Sequence, residues 1–459
     1  MTAIYIFTRD LRIQDNKTLN YADLNFEKII PIFIFTPEQI GAENKFRSCN
    51  AIQFMSESLI NLDQKLHKLG SKLHFFYGNY LQIIDQIINY ILKKEVQHII
   101  ITRDYTPYAT QRQNDLDKWC KKIGIQLHCI EDYLLCPMGQ MLKEQGQGDP
   151  YTVYTPFRNN GFKLDIDQPS KDMCHKFITF PNLGESMRPY DVNKKILLKG
   201  GRTEGLKQLK KLSECSNYNN DRNLLSKKTS LLSAYIKFGC LSIREVYWKM
   251  KQLQTSTNQD LVSQLFWREF YFYIAFYFPQ VLAGKNYNPK YNTIKWSGNK
   301  EYLEHWKQGT TGYPVVDAGM IELKTTGYMH NRARLITANF LNRLLGIDWR
   351  WGEQYYATQL TDYDPCVNNG NWQWVASTGV DPKPFNQRLF NPWLQSKKYD
   401  PEAEYIKKWL PQLKDIPAKE LHQWDKYYQN YDLEKIKYQE PIVNYEQARK
   451  LSLEMYRNI

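Results

Sequence analysis

The residues between positions 264 and 271 combine polar and aromatic side chains at the spacing of one helical face. Gln264, Trp267, Arg268 and Tyr271 stand at i, i+3, i+4 and i+7, so a helix would present them together. A buried amide and a buried guanidinium both need hydrogen-bond partners. A large polar heteroaromatic ligand could supply those partners, and so could neighbouring side chains in a helical bundle.

Two further segments show the same mixture of residue types. Asn331, Arg334 and Leu335 share a second predicted helical face, and residues 362–374 form a turn-rich segment that runs into two tryptophans. The alternative to a ligand site is a bundle with aromatic core stripes, in which the arginines of the two helices pair with the aspartates of the third segment. Spacing alone favours that alternative.

Five short runs of β-branched and aromatic residues in the first third of the chain predict β-strands. Amphipathic stretches separate these runs, and they predict helices on both faces of a parallel five-stranded sheet, a Rossmann-like α/β arrangement. No G-x-G-x-x-G pattern follows the first run, so we expect a cofactor to bind outside this domain. The predicted strands are residues 4–7, 29–35, 72–76, 96–101 and 126–130.

Three regions follow from these patterns. Residues 1–135 form the predicted α/β domain, and residues 136–200, with many Gly and Pro, form an irregular inter-domain connector. Residues 201–459 form an all-α domain that is unusually dense in Trp and Tyr. Within it, helices are predicted over residues 260–278 and 331–345, where Pro and Gly provide the stops.

The composition limits the function classes. Lys and Arg number 61 against 48 Asp and Glu, a formal net charge of +13 that favours polyanionic partners, although a solvated basic surface would give the same count. The eight cysteines show neither C-x-x-C nor zinc-ligand spacing, so we expect reduced thiols and no metal. Without a signal peptide or a membrane-spanning apolar run, the protein is predicted to be soluble and intracellular, cytoplasmic or nuclear.

Five motifs occur in order along the chain. They are residues 7–16 (FTRDLRIQDN), 311–320 (TGYPVVDAGM), 327–334 (GYMHNRAR), 348–350 (DWR) and 368–374 (NNGNWQW). Together they resemble signatures of the DNA photolyase and cryptochrome family, and the resemblance covers nearly the whole chain. It implies an N-terminal α/β domain, a helical FAD-binding domain, and light-dependent repair of cyclobutane pyrimidine dimers in UV-damaged DNA by a carbon–carbon lyase.

The resemblance implies that FAD lies folded in the helical domain. A hydroxyl-rich segment would contact its phosphates and ribose, while polar side chains would surround the ring and adenine, with Asn368 facing the flavin N5. An Arg beside a carboxylate can stabilise an anionic reduced flavin. For Thr229 and Ser233, ordinary helix capping is an alternative role. The implied FAD-binding residues are Tyr218, Thr229, Ser230, Leu231, Leu232, Ser233, Gln264, Arg268, Arg334, Asp362, Asp364 and Asn368.

Three tryptophans align with the electron-relay triad of the family, through which an outer Trp supplies electrons to the photoexcited flavin. The alternative is that these residues only fill the core. Asn368 stands where plant-type cryptochromes tend to carry Asp and animal-type ones Cys, so its presence favours a repair enzyme. The implied catalytic residues are Trp296, Trp349, Trp372, Asn368 and Gln264.

A damaged base inside a duplex must leave the base stack to reach a flavin, and photolyases are an established case of such flipping. By resemblance, Trp267 and Trp374 pack against the flipped lesion, while Asn331, Arg332 and Arg343 lie near the pocket mouth or the phosphates. The implied DNA-binding residues are Trp267, Asn331, Arg332, Leu335, Arg343 and Trp374.

The choice of lesion rests on three positions. Asn331 and Leu335 favour cyclobutane dimers, because six-four photolyases carry His at both positions. Gln264 instead favours a six-four photolyase or an animal-type cryptochrome, since both have Gln at this position, whereas dimer photolyases typically have Glu. A six-four photolyase and a cryptochrome-type blue-light photoreceptor therefore stay as alternatives.

A second, antenna chromophore of folate or deazaflavin type is common in the family. Residues 103–108 end a predicted strand, where a pocket for such a pigment could form in the first domain. These residues do not identify the pigment. The resemblance also leads us to expect a monomer.

Overall fold

The computed structural model describes residues 1–92, 95–215, 217–253 and 260–459. Five parallel strands form one sheet in the order β3-β2-β1-β4-β5, which places the first strand at the centre. The strands are β1 Thr2–Ile6, β2 Lys28–Phe35, β3 His74–Tyr77, β4 Val96–Thr102 and β5 Gln126–Ile130. The predicted α/β domain with a parallel five-stranded sheet is confirmed.

Successive residues of β1 face two different apolar layers. Ala3 and Tyr5 belong to one buried cluster, and Ile4 and Ile6 belong to the other. Side chains alternate along a strand, so a strand that is apolar at every position buries both of its faces. This is the pattern expected of a parallel sheet covered by helices on both sides.

The rest of the described chain is mainly helical. The α-helices of the first two regions are α1 Lys17–Asn25, α2 Pro37–Ile40, α3 Cys49–His67, α4 Tyr80–Gln86, α5 Pro107–Ile123, α6 Lys143–Gly146 and α7 Tyr154–Gly161. Those that follow are α8 Arg202–Lys210, α9 Tyr218–Asp221, α10 Ser233–Lys237, α11 Ile243–Gln252, α12 Asp260–Tyr277, α13 Lys300–Gln308, α14 Pro314–Thr326, α15 Asn331–Asn339, α16 Trp349–Gln359, α17 Pro365–Val375, α18 Pro392–Tyr399, α19 Glu404–Trp409, α20 Ala418–Leu421, α21 Trp424–Tyr427, α22 Leu433–Ile436 and α23 Tyr445–Arg457.

Two of the helices that matter for the site end as the sequence predicts. A proline, Pro279, follows α12 after one intervening residue and begins a 3-10 turn. The helix α15 continues into a π-helical turn over Phe340–Leu344, and Gly346 follows in the left-handed conformation with φ of 63°. The predicted helices over 260–278 and 331–345 are thereby confirmed.

The connector is irregular apart from α6 and α7, and it packs back onto the sheet. The amide of Ile29 donates to the Lys176 carbonyl at 2.9 Å, and the amide of Ile178 donates to the Ile29 carbonyl at 2.9 Å. At β3, the Glu185 amide donates to the Phe75 carbonyl at 2.8 Å. The connector is thus bound to the first domain rather than stretched freely between two domains.

The segment after β1 joins the sheet to the helical region. A Cβ on Gly239 would lie 2.0 Å from the Arg9 carbonyl oxygen, and Gly239 has φ of +64°, so only glycine suits this close approach. Arg244 of α11 forms ion pairs with Asp15 at 3.0 Å and with Asp132 at 2.7 Å, and all three side chains are buried. The two regions therefore share a polar buried interface.

The cysteines and the helix lengths bear on two further predictions. All eight cysteines are free thiols, as predicted, and burial raises the pKa of the Cys120 thiol to about 12. Within the described ranges, no helix combines the length and the apolar character needed to cross a lipid bilayer.

Candidate active site

One face of α12 carries the first predicted group. Trp267 stacks on Tyr154, with 3.5 Å between the ring centroids and 10° between the ring planes. The Gln264 amide donates to the carbonyl one turn before it at 3.0 Å. Tyr271 is buried, and a Cβ on Gly370 of α17 would lie 2.1 Å from its ring. The glycine therefore lets α12 and α17 pack directly against each other.

Asp362 binds two of the other predicted site residues, Ser233 and Arg334. Its Oδ2 accepts a hydrogen bond from Ser233 Oγ at 2.6 Å and pairs with Arg334 Nη2 at 3.0 Å. Its Oδ1 is buried and has no hydrogen-bond partner among the described residues. A buried carboxylate oxygen costs free energy unless a donor completes it. A bound polar ligand would satisfy this oxygen, so the site fits a group that carries hydrogen-bond donors.

Asp364 connects the helical region with the sheet. Its Oδ1 caps α17 by accepting from two amides of the first turn at 3.0 and 3.3 Å, and its other oxygen pairs with Arg9. Arg9 and Arg268 both lie over the Tyr133 ring, 4.3 and 4.2 Å from its centroid. Burial raises the pKa of the Asp364 carboxyl, but Arg9 and Arg268 outweigh it and hold that pKa below its usual value. Asp364 is therefore a carboxylate between two cations.

Asn368 lies beside a buried acid that the sequence analysis missed. Its Nδ2 donates to the Glu353 carbonyl at 3.2 Å and to Glu353 Oε1 at 3.4 Å. Burial raises the pKa of Glu353 to about 7, against a smaller lowering by Asn368. Glu353 can therefore hold a proton near neutral pH, one hydrogen bond away from Asn368. The only signal in the sequence was its position four residues after Trp349, on the same helix face.

The predicted phosphate-side segment has an unusual backbone. Leu231 has φ of 52°, a left-handed conformation that a leucine rarely adopts and that often marks a functional site. The residue that precedes α10 as its N-cap is Leu232, which makes no side-chain cap, and Ser233 is the first helical residue. The capping alternative for Thr229 and Ser233 is thus wrong. Tyr218 begins α9 and is half-buried.

The three relay tryptophans belong to, or pack against, one apolar cluster. Trp372 is buried, and a Cβ on Gly352 would lie 2.2 Å from its ring. Trp349 is fully buried, and its indole N–H donates to Asn286 Oδ1 at 2.9 Å. Trp296 is half-buried and meets the Tyr456 ring edge-on at 6.5 Å. Exposure thus rises from Trp349 to Trp296, but the relay itself stays a prediction.

The residues predicted to contact DNA differ in their accessibility. Asn331 is exposed at the start of α15, and Leu335 is half-buried one turn later. Arg332 is half-buried, donates to Asn223 Oδ1 and lies 4.4 Å from the Tyr399 ring centroid. Trp374 is half-buried, and its indole N–H donates to Asp381 at 3.2 Å. These four side chains can still meet a ligand from outside.

Arg343 does not fit the role predicted for it. Its side chain is fully buried, and it donates to Ser452 Oγ at 3.2 Å, to Ser377 Oγ at 3.3 Å and to the Phe385 carbonyl at 3.0 Å. The guanidinium also lies 4.1 Å from the Tyr456 ring centroid. A side chain enclosed in this way holds α23 and neighbouring loops together, so the prediction that it reaches DNA phosphates is wrong.

A cavity of about 280 Å³ opens next to the sheet. Asp104, Thr106 and Tyr108, from the predicted segment after β4, line it together with Arg9 and Lys237. The prediction that a pocket forms at residues 103–108 is confirmed. Because Arg9 also pairs with Asp364, one side chain touches both this cavity and the group around Asp364.

Two family models match the chain. The model described as DNA photolyase covers residues 3–171, and the model described as FAD binding domain of DNA photolyase covers residues 261–458. The helical region is therefore an FAD-binding domain, in agreement with the implied cofactor.

Curated relatives agree over the full length. A deoxyribodipyrimidine photo-lyase of Buchnera aphidicola is 32% identical, with 98% of this chain and 97% of the relative covered. The Escherichia coli protein of the same name is 30% identical, with 99% and 98% covered.

Solved structures share the complete architecture. An archaeal photolyase from Sulfolobus tokodaii with two FAD molecules matches with a TM-score of 0.89 and 37% identity, covering 100% of both chains. A cryptochrome from Synechocystis matches with a TM-score of 0.86 and 28% identity, covering 99% of both. With both family models and full-length relatives in agreement, the chain belongs to the DNA photolyase family.

Proposed function

We propose that this protein uses light and bound, reduced FAD to split cyclobutane pyrimidine dimers in UV-damaged DNA. Relatives named deoxyribodipyrimidine photo-lyase support the reaction. The observation that carries the proposal is the buried, unpartnered Oδ1 of Asp362 within a cluster of predicted FAD-binding residues. That oxygen lacks a hydrogen-bond donor, and FAD has donor groups that could supply one when it is bound.

The residues fit the cofactor in two groups. The left-handed backbone at Leu231 and the Ser233 hydroxyl bonded to Asp362 would serve the phosphate and ribose side. The polar cluster would surround the rings, and it consists of Gln264, Arg268, Arg334, Asp362, Asp364 and Asn368. Tyr218, Thr229, Ser230 and Leu232 stay in the first group as predicted contacts. When bound and reduced, FAD supplies the light-excited electron that opens the cyclobutane ring.

The charges of this cluster suit a reduced, anionic cofactor. Arg334 and Arg268 supply positive charge. Asp362 pairs with Arg334, Glu269 pairs with Arg268, and Asp364 pairs with Arg9. Asn368, held in place by its hydrogen bonds to Glu353, would hydrogen-bond the flavin N5. The protein thus positions the group beside its ligand with residues that are themselves buried.

The lesion would lie against half-exposed aromatic rings. Trp267 and Trp374 offer stacking surfaces worth roughly 1–3 kcal/mol per base, which offsets part of the cost of unstacking. Asn331 and Leu335 cannot supply the two His side chains expected for a six-four lesion, and the Gln264 amide can donate to a pyrimidine carbonyl. We therefore favour the cyclobutane dimer as substrate, with Arg332 near the DNA backbone.

We also propose that the cavity beside the sheet holds a second chromophore. Its wall carries Arg9, Arg47 and Arg112 as cations and Tyr108 as an aromatic ring, which suits a planar anionic pigment. The similarity to the archaeal photolyase with two FAD molecules supports a second cofactor. An absorption spectrum of the purified protein, with any released pigment identified by mass, would distinguish folate, deazaflavin and a second flavin.

Two alternatives have a specific observation behind them. Gln264 favours a six-four photolyase, and the similarity to a cryptochrome favours a blue-light photoreceptor. In the deciding experiment, the reduced holoprotein receives oligonucleotides with a defined cyclobutane dimer or a defined six-four photoproduct, in blue light and in darkness. We expect dimer loss in light only. Repair of the six-four product alone, or no repair by protein that retains reduced FAD, would contradict the proposal.

Asp362→Asn tests the observation that carries the proposal. The amide removes the charge that pairs with Arg334 and offers one acceptor oxygen instead of two, so FAD should be retained less well. The matched control is Asp425→Asn, at an exposed aspartate that takes part in no ion pair of the described residues. Flavin absorbance per protein after gel filtration is the measurement, and equal FAD content in both variants would contradict the assignment.

A further inference from the structure

A second cavity, of about 420 Å³, lies between α13 and α16. We call it the basic cleft and define it by Lys45, Lys300, Lys307, Trp351 and Tyr355, all of which line it. None of these residues belongs to the sites described above. The lysines of this cleft attract anions, and its aromatic wall places rings within reach of an anion that they hold.

The charge of the basic cleft is positive. Lys307 pairs with Glu304 at 2.7 Å, and Glu304 also lines the cleft. Lys45 and Lys300 are exposed and, among the described residues, form no ion pair. Three ammonium groups against one carboxylate leave an excess of two positive charges at the opening. Such an excess raises the local concentration of anions and lowers that of cations.

Aromatic rings lead from the basic cleft into the protein. The Tyr355 ring meets the Trp306 ring edge-on, with 5.5 Å between centroids, and Trp306 meets Trp372 at 6.2 Å. Trp306 is fully buried. A ring path therefore runs from the cleft to Trp372, a member of the predicted relay.

We propose that the basic cleft binds a small anionic one-electron donor, and that Tyr355 and Trp306 connect this donor to Trp372 as a second branch of the electron relay. The proposal rests on the proposed function, because it requires that Trp372 reduces the photoexcited flavin. Trp372 gives one electron to the flavin, Trp306 gives one to Trp372, and the donor gives one to Trp306 across the Tyr355 ring. The flavin gains one electron, the donor loses one, and no bond is made or broken.

The protons on this branch stay where they are. The Trp306 indole N–H donates to the Thr337 carbonyl at 2.9 Å, and the Tyr355 hydroxyl donates to the Lys307 carbonyl at 3.1 Å. A backbone carbonyl accepts a hydrogen bond but does not take up a proton. Burial, with Glu304 adding to it, raises the pKa of Tyr355 to about 12. Tyr355 therefore acts as a neutral contact between donor and Trp306.

The branch can be isolated in the full-length holoprotein. Trp349→Phe interrupts the path toward Trp296, and photoreduction is then followed under blue light with ferrocyanide, an anionic donor, or with neutral dithiothreitol. We expect residual photoreduction that depends on ferrocyanide concentration and disappears when Trp306→Phe is added. Complete loss of photoreduction in Trp349→Phe, with the flavin still bound, would overturn the branch.

Surface variants keep the test independent of core packing. Lys300→Glu in the Trp349→Phe background should slow ferrocyanide-driven photoreduction about tenfold at low salt, the low end of electrostatic effects on association rates. Lys414→Glu makes the same charge change outside the cleft and should have little effect. Calorimetric titration of ferrocyanide in the dark should show weaker binding for Lys300→Glu only. Equal rates and equal binding for the two lysine variants would overturn the proposal.

Trp372→Phe separates this inference from the proposed function. If Trp372→Phe leaves photoreduction at the wild-type rate, the relay through Trp372 fails and the branch fails with it. If Trp372→Phe stops photoreduction while Trp306→Phe changes nothing in the Trp349→Phe background, only the branch is overturned.

Discussion

Arg9→Met removes the cation that links the segment after β1 to Asp364, a carboxylate of the predicted FAD-binding group. Arg9 pairs with Asp364 and, at 3.3 Å, with Asp104, and the side chains of the three residues are 16%, 7% and 11% exposed. Breaking a buried ion pair from one side costs about 3–5 kcal/mol, because a charge is left buried without its partner. Since Arg268 still lies near Asp364, we expect a loss of about 3 kcal/mol, the lower end of that range.

The loss should depend on pH in a defined direction. In the native protein the pKa of Asp364 lies below its unfolded value, so its stabilising contribution is present at neutral pH and is lost as the pH falls through the folded pKa. In Arg9→Met, burial of Asp364 is no longer outweighed by Arg9, so the pKa of its carboxyl in the folded protein rises. The free energy of unfolding of the variant is therefore lowered most at neutral pH, where the buried carboxyl is ionised. The difference in unfolding free energy between the two proteins should therefore shrink from pH 7 to pH 5.

The assay is urea unfolding at both pH values, followed by tryptophan fluorescence and by flavin release. Arg188→Met serves as the control, because its pair with Glu185 is more than half exposed on both sides and should contribute only about 0–1 kcal/mol. Adding Asp364→Asn to Arg9→Met should recover part of the loss, since Asn can still cap α17. Unfolding of Arg9→Met at the wild-type urea concentration, or an equal loss at both pH values, would refute this reasoning.

Three further changes give sharp outcomes. Trp372→Phe should slow flavin photoreduction severalfold but spare repair once FAD is chemically reduced; equal loss of repair under both conditions would exclude the relay. Gln264→Glu should keep or raise the rate of dimer repair, measured as dimer loss per photon absorbed, and a large decrease would contradict the role given to this amide. In Glu353→Gln, native stability should decline less between pH 5 and pH 7 than it does in the wild-type protein. Burial raises the pKa of the Glu353 carboxyl to about 7, so this group stays protonated in the folded protein while it ionises in the unfolded chain, which costs on the order of 2 kcal/mol of stability over this range. Parallel pH profiles of urea unfolding for both proteins would speak against that pKa.

Local patterns predicted the sheet and the main helices. Continuous apolar runs such as β2 and a proline just after α12 act within a few residues, so a sequence shows them directly. The pairing of Arg334 with Asp362 was among the alternatives that residue types suggested, and the structure contains it. The unpartnered second oxygen of Asp362 could not be predicted, because it depends on what surrounds the pair.

Contacts between distant parts of the chain were missed. Arg9 and Asp364 are 355 positions apart, and no periodicity connects an arginine after a strand with a helix cap in another domain. Arg343 was wrongly predicted because its role was carried over from the family resemblance, and the sequence does not show that Ser452, Ser377 and the Phe385 carbonyl enclose this side chain. Glu353 was missed because its raised pKa follows from burial alone, which sequence does not show.

The connector that returns to the sheet affects how the protein can be divided. The edges that Lys176, Ile178 and Glu185 occupy on β2 and β3 would be open in a fragment that stops at residue 135. Open strand edges pair with other chains and favour aggregation. A fragment of the first domain that is meant to fold alone or to be fused to another protein should therefore include roughly fifty residues beyond position 135, so that the connector still covers these strand edges.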